Sequence, residues 1–538
     1  MEKNKADEIR EILVKYPEYR EALFCRGYLV TSRVFENTDG YPFYGQWKIA
    51  PFGKLLDGSE VSIYCHKWQS CNIVELEGVK AALIGHAYNP FDMKYSEPDI
   101  LHDCIKAYRK GRAVFFDKVS ELTGIHVILL NDKGNLLALQ DCAGMRACYY
   151  GKQGKDIYLV SHPRMAGDIC GLDIDPFVKE LTGKWFFRYG WQILPCSLSP
   201  YKEFRKLGCN TCLEFGTQFS VRRFYPVKPH PELTPGSYDQ AMKTIAGLIR
   251  NNIELSAMKW RRPLISLSGG TDSRTTFACA NGLYDRVKCF SFHSKPSEVI
   301  DAGAAHEICE KMGVEHRIYP IPDTNAQVKD YEILRKIICH NISYIAIPHE
   351  NEIRKYIFLY RLNDFDVELK SWISEIGRAI REKRYGMKFP EKLTPRHFSI
   401  FQTRYMFAPR LLRKTDGYYK EYMEEINLEK PLYNYEHVDF HTWEFVFGFW
   451  GQGVVTSHDI FRHTVTMPMN NRKIIDMFLW FPHEFRKNDM LHRGVIKHAN
   501  KKLSEIDISV HNPYIGGKRV FLEKAYYRYA TMFNRSPE

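Results

Sequence analysis

The sequence predicts an α+β region of sheets and helices followed by an α/β region with a parallel sheet and a helical end. Three observations carry this. From about residue 25 to 225 the apolar runs are short and broken by turn residues. Pro226, Pro229, Pro231 and Pro235 then fall within ten residues, the composition of an extended linker. Beyond them, strand-like and helix-like patterns alternate at the spacing of a parallel sheet with helices on its faces. A chain of 538 residues exceeds what one core organises, so residues 1–24 are read as a leading helix. Residues 25–225 are read as the first domain, 226–236 as the linker and 237–538 as the second domain.

Each element follows from its local pattern. Ile9, Ile12, Leu13 and Tyr16 recur at helical spacing. Residues 80–84 (KAALI) and 126–130 (HVILL) are short continuous apolar runs of the kind that form buried strands. Asn131, Asp132, Lys133 and Gly134 supply a tight turn into the strand that starts near Leu136. After the linker a helix is predicted over 238–255, then strands over 263–267 and 287–292, each followed by a helix, the second of them over 299–312. Residues 366–370 fit a further strand, and the pattern after 395 is mostly helical.

Composition narrows the function. The chain is 44% hydrophobic and 26% charged, as expected of a globular protein rather than a disordered one. Its first residues are charged and no apolar stretch approaches the ~20 residues a membrane helix needs, which predicts a cytoplasmic protein that does not engage membranes. Fourteen cysteines occur singly, apart from Cys209 and Cys212, and read as reduced, mostly buried thiols. The net charge of +12 is spread along the chain without a long basic block, so a solvated surface with a polyanion-binding pocket explains it as well as nucleic acid does.

The most informative segment is Ser268-Gly269-Gly270-Thr271-Asp272-Ser273, placed where a strand gives way to a helix. Ligands of open α/β sheets bind beyond the carboxyl ends of the strands. Glycines let backbone N–H groups approach an anion, the helix start adds a favourable dipole, and the two serines offer hydroxyl donors. Asp272 would repel phosphate oxygens directly, so its role is to hold a Mg²⁺ that bridges them. Arg274 adds a cation nearby. These residues predict ATP binding.

The motif resembles that of the PP-loop ATP pyrophosphatases, and within them the asparagine synthetase family. Phe290-Ser291-Phe292-His293 resembles the strand that lines the adenine site there. The run from Asp301 through Ala305, Cys309 and Gly313 to His316 resembles the helix and turn after it, and Asp459, Pro468, Asn471, Arg472 and 493–499 (RGVIKHA) extend the likeness. Residues 370–378 (KSWISEIGR) stand where the family has a second acidic loop. Glu375 matches its metal-binding Asp, while Trp372 replaces a functional Glu, as in a divergent bacterial branch. The resemblance implies ATP and Mg²⁺ as cofactors. It places Ser268, Gly269, Gly270, Asp272, Ser273, Phe290 and Ser371 at the nucleotide and Asp272 and Glu375 at the metal. Catalysis would fall to Glu375, Arg378 and Lys518, with Tyr514 the alternative to Lys518. A bland reading makes Glu375 a solvated loop residue paired with Arg378.

The first domain resembles the glutaminase domain of the same family, an Ntn-hydrolase-like sandwich, through Asp132, Gly134, Leu136, Asp141, Gly144, Arg146, Tyr149, Tyr150 and Ser161, with 204–207 and 221–225 continuing it. Glutamine hydrolysis there needs an N-terminal cysteine whose α-amino group serves as base. Here Glu2 follows Met1, Cys25 is the first cysteine, and Ile84-Gly85-His86 replaces the family's Asn-Gly-Glu. An inactive glutaminase-like domain is therefore expected, with Cys25 a buried thiol. The reading reached is ATP-dependent amide formation: adenylation of a small-molecule or peptide carboxylate, then attack by ammonia or an amine, releasing AMP and pyrophosphate. A homodimer is compatible with it. The alternatives are a silent nucleotide-binding relative and a tRNA-modifying PP-loop enzyme using Cys279 and Cys289.

Overall fold

The computed structural model describes residues 2–190, 192–402, 406–428, 432–506 and 517–532. The leading helix, Glu2–Lys15, buries Ile9 and Leu13 along one stripe. Two six-stranded sheets follow. One runs Phe204–Lys206, Tyr149–Gln153, Asp156–Val160, Tyr28–Thr31, Glu60–His66 and Trp47–Lys54 in spatial order. The other runs Phe219–Arg223, Thr211–Phe215, Asn135–Gln140, Thr123–Asp132, Val79–Tyr88 and Cys71–Leu76. Their strand pairings are antiparallel, so alternate residues face inward. Val30, Ile63, Ala82, Val127 and Leu213 from the two sheets meet in one core.

Helices Glu97–Lys110 and Arg112–Val119 cover the outer face of the second sheet through Leu101, Ile105 and Phe115. The predicted hairpin is present. Asp132 pairs with Asn135 across a turn in which Lys133 and Gly134 both have positive φ (52° and 91°), and Asn131 Oδ1 accepts from the Gly134 N–H at 3.0 Å.

After the linker and the helix Tyr238–Lys259 comes a five-stranded parallel sheet. Its spatial order is His316–Pro320, Lys288–His293, Pro263–Ser266, Val367–Leu369, Thr464–Thr466. The two outermost strands were not foreseen. His316–Pro320 is largely exposed and polar, and Thr464–Thr466 has only three residues inside a helical region. Strand order reverses between Pro263–Ser266 and Val367–Leu369, which fixes the switch point of the sheet.

The C-terminal part is otherwise helical among the described residues, and includes an eleven-residue π-helix, His441–Gly451. No helix among the described residues is long and apolar enough to cross a membrane. All fourteen cysteines are free.

The two regions are stitched together by buried polar contacts. Arg146 Nη1 pairs with Asp459 Oδ2 at 2.8 Å, and Arg223 holds Glu444 through both its Nη atoms. Arg472 gives its donors to Asn210 Oδ1 and the Cys209 carbonyl, each at 2.9 Å. Asn470 Nδ2 reaches Asp141 Oδ1 at 2.8 Å.

Candidate active site

The turn Ser268–Ser273 leaves the strand Pro263–Ser266 at the switch point and enters the helix Thr271–Cys279, with Gly270 as N-cap. The Ser273 hydroxyl shapes it. It donates to the Ser268 carbonyl at 2.9 Å, lies 2.9 Å from Ser268 Oγ, and accepts from the Ser268 N–H at 3.1 Å. These bonds draw the loop into a ring whose helix start faces a cleft of about 850 Å³. Beside it, the strand Val367–Leu369 ends in Lys370 and Ser371, which enter the same cleft. Ser371 Oγ is buried there without a hydrogen-bond partner.

Asp272 and Glu375 meet across the switch point. Asp272 Oδ1 accepts from Ser374 and Oδ2 from Arg378. Arg378 is braced in turn by Asp489, with Nε 2.8 Å from Oδ1. Glu375 Oε2 is buried with no hydrogen-bond partner. Burial first, and then repulsion by Asp272, push its carboxyl up to about 8. Two close carboxylates, one with an orphaned oxygen, fit a divalent cation such as Mg²⁺, which commonly takes one or two carboxylates plus phosphate oxygens. No cluster of three or more metal-ligating side chains exists among the described residues.

The opposite wall is aromatic. Trp372 stacks on Trp450 with ring centroids 5.8 Å apart, and His458 lies 5.6 Å from Trp372. The cations of the cleft are Lys370, paired with the buried Glu368 at 2.7 Å, Arg384 and Lys355, whose Nζ sits 4.5 Å from the Phe292 ring centre. Burial pulls the Lys355 ammonium down.

The structure thus brings Ser268, Gly270, Asp272, Ser273, Ser371 and Glu375 to one cleft, with Gly269 in the same turn. It departs from the sequence reading at several residues. Phe290 is fully buried against Leu264 and Phe365, in the middle of its strand and short of the carboxyl end that reaches the cleft. Ser291 and Phe292 line the cleft in its place. Arg378 is not in the cleft lining; it ties Asp272 to Asp489, a positioning contact, and the Glu375 Oε2 atom is buried with no hydrogen bond to it. The Lys518 side chain and Tyr514 lie outside the described residues.

Missed by the sequence reading were Lys355, Trp450 and His458. Lys370 had a legible signal, since it directly follows a strand at its carboxyl end. Lys355 and Trp450 reach the cleft by tertiary packing alone.

In the first region Cys25 is 0% exposed and burial drives its thiol upward. Phe24, just before it, donates its N–H to Asn341 Oδ1 at 2.8 Å, and Tyr19 holds Asp330 at 2.5 Å, so the leading residues are packed in place. His86 meets Thr466 of the parallel sheet at 3.0 Å and serves the interface.

Residues 245–341, which contain the Ser268–Ser273 turn, match the family model for asparagine synthase. Over that segment the chain is similar to asparagine synthases. The asparagine synthase match supports ATP-dependent amidation in general terms. No curated protein matches the chain. Among solved structures it is similar to the glutamine phosphoribosylpyrophosphate (PRPP) amidotransferase from B. subtilis complexed with ADP and GMP. That match has 10% identity and a TM-score of 0.22, and covers 58% of this chain and 62% of that one, so the chain spans less than two thirds of that neighbour. A structure described as the allosteric regulatory enzyme of purine biosynthesis matches at 10% identity and TM-score 0.23, over 58% of this chain and 77% of its own.

Proposed function

We propose that this chain activates a carboxylate with ATP and joins it to ammonia or an amine, releasing AMP and pyrophosphate. The observation that supports this most is the meeting of Asp272 and Glu375 beside a serine- and glycine-rich helix start at the switch point. In this reading the helix N-terminus, Ser268 and Ser273 bind the ATP phosphates. Asp272 and Glu375 would hold Mg²⁺, which supplies charge neutralisation. Ser374 and Arg378 orient Asp272. Lys355 and Lys370 supply the positive charge that favours the developing anionic centre. Trp372 and Trp450 form the surface on which the acceptor rests, and they narrow the access of water.

The test is to incubate the purified chain with ATP, Mg²⁺, aspartate and ammonia, then with pooled metabolites, and to assay pyrophosphate and AMP. Pyrophosphate that depends on a substrate and vanishes in Asp272→Ala is the expected result. ATP binding with no pyrophosphate from any pool would favour the silent relative. The pairing of Asp272 with Arg378 and the replacement at Trp372 are the observations on that side. The tRNA-modifying reading has less support: Cys279 and Cys289 are buried and burial pushes the Cys279 thiol up to about 12.

A further inference from the structure

The cleft does not stop at Trp450. Behind that ring is a small cavity of about 50 Å³. Gln192, Ala346, Trp450 and Gly453 line both spaces, so the cavity is a recess of the cleft. Its size exceeds the ~10–15 Å³ that one water needs and accommodates a group of a few heavy atoms.

Two polar side chains on its walls are unexplained by packing. Lys206 is 6% exposed; its Nζ donates to the Phe449 carbonyl at 3.2 Å and sits 5.5 and 5.4 Å from the ring centres of Tyr149 and Phe449. One carbonyl leaves two ammonium N–H donors unused. Among the described residues no carboxylate pairs with it. Burial pulls the ammonium down to about 8, and the titratable neighbour acting on it is the Cys196 thiol. On the same cavity, Ser343 is 3% exposed and its Oγ has no hydrogen-bond partner. The backbone that carries it is strained, with Ser343, Tyr344 and Ala346 at φ of 59°, 57° and 54°, a region that L-residues seldom occupy. A buried charge without a counter-ion, a buried hydroxyl without a partner and a strained segment around one recess are features that folding stability alone disfavours.

We propose that this recess binds a carboxylate through the Lys206 ammonium and the Ser343 hydroxyl. The π-helix His441–Gly451 fits the arrangement, since its last turn places Trp450 in the cleft and the Phe449 carbonyl on Lys206.

Titration calorimetry of the full chain with acetate, without ATP, tests this site. Acetate is expected to bind, with affinity falling at least about tenfold in Lys206→Met and about fivefold in Ser343→Ala, while ATP affinity stays within about twofold. Met keeps the aliphatic stem and removes an uncompensated charge, and Ala removes an unbonded hydroxyl. If Lys206→Met does not fold, Ser343→Ala alone decides. No binding at about 50 mM acetate, or equal binding by the foldable variants, overturns the site. Acetate binding with no pyrophosphate from any acid supports the recess and counts against the proposed function.

Discussion

Cys25 and Asp272 stand at corresponding places in their own regions, each beside the end of a strand and each singled out by the sequence as a chemical group. Their surroundings differ. Cys25 is enclosed by Phe24, by the packed leading helix and by the body behind it, and its thiol is held in the neutral form. Asp272 borders an open cleft and is oriented by a chain of donors that runs through Arg378 to Asp489. A reactive side chain needs access, a tuned charge and a fixed direction together. One region offers all three around its acid, and the other offers none around its thiol.

The largest effect expected on this contrast is that of Asp272→Ala, which should lower substrate-dependent pyrophosphate release by at least about a hundredfold. Trp372→Ala should come next. Losing one stacked ring should raise the KM for the acceptor about tenfold, measured in the same assay, while ATP affinity changes little.

Asp489 gives a smaller, pH-dependent effect. Burial would raise its carboxyl, but Arg378 and Lys383 hold it down at about 2. The unfolded value lies near 3.9, so the stabilisation is present above about pH 4 and lost as pH falls through 2. The pair is partly exposed, and screening leaves about 1 kcal/mol. In urea unfolding, Asp489→Asn should be less stable by that amount at pH 7 and indistinguishable from the parent near pH 2.

The smallest effect is the sharpest test of the sealed region. Cys25→Ser should leave turnover within about twofold, and a thiol reagent should not label Cys25 in the folded chain. A loss as large as that of Asp272→Ala would erase the distinction between the two regions.

Local signals were legible where a turn or a period is dictated by few residues. The hairpin at Lys133-Gly134 and the turn at 268–273 read directly from sequence, since positive φ and a strand-to-helix junction leave a compositional mark. The helix Tyr238–Lys259 ran four residues beyond its expected end because the chain there lacks a stop signal until Trp260. The strand Thr464–Thr466 was invisible, since three residues carry no period and its pairing partner lies far back in the chain. The site divides the same way. Asp272 and Glu375 were readable from the turn and the acidic loop. Phe290 was misplaced because only residues near a strand's carboxyl end reach the cleft, and where that end falls is set by packing. Lys355, Trp450 and His458 come from helices whose orientation is decided only by tertiary packing.

Arg472 carries a consequence of its own. Its guanidinium is buried, and its hydrogen bonds end on an amide oxygen and main-chain carbonyls of the other region rather than on a carboxylate. A carbonyl does not titrate, so this clasp keeps its strength across the whole pH range in which surface ion pairs fade. Separating the two regions would expose that cation on one side and its carbonyl partners to water on the other. The front region thus covers a polar surface of the back region that has no other partner for its cation among the described residues.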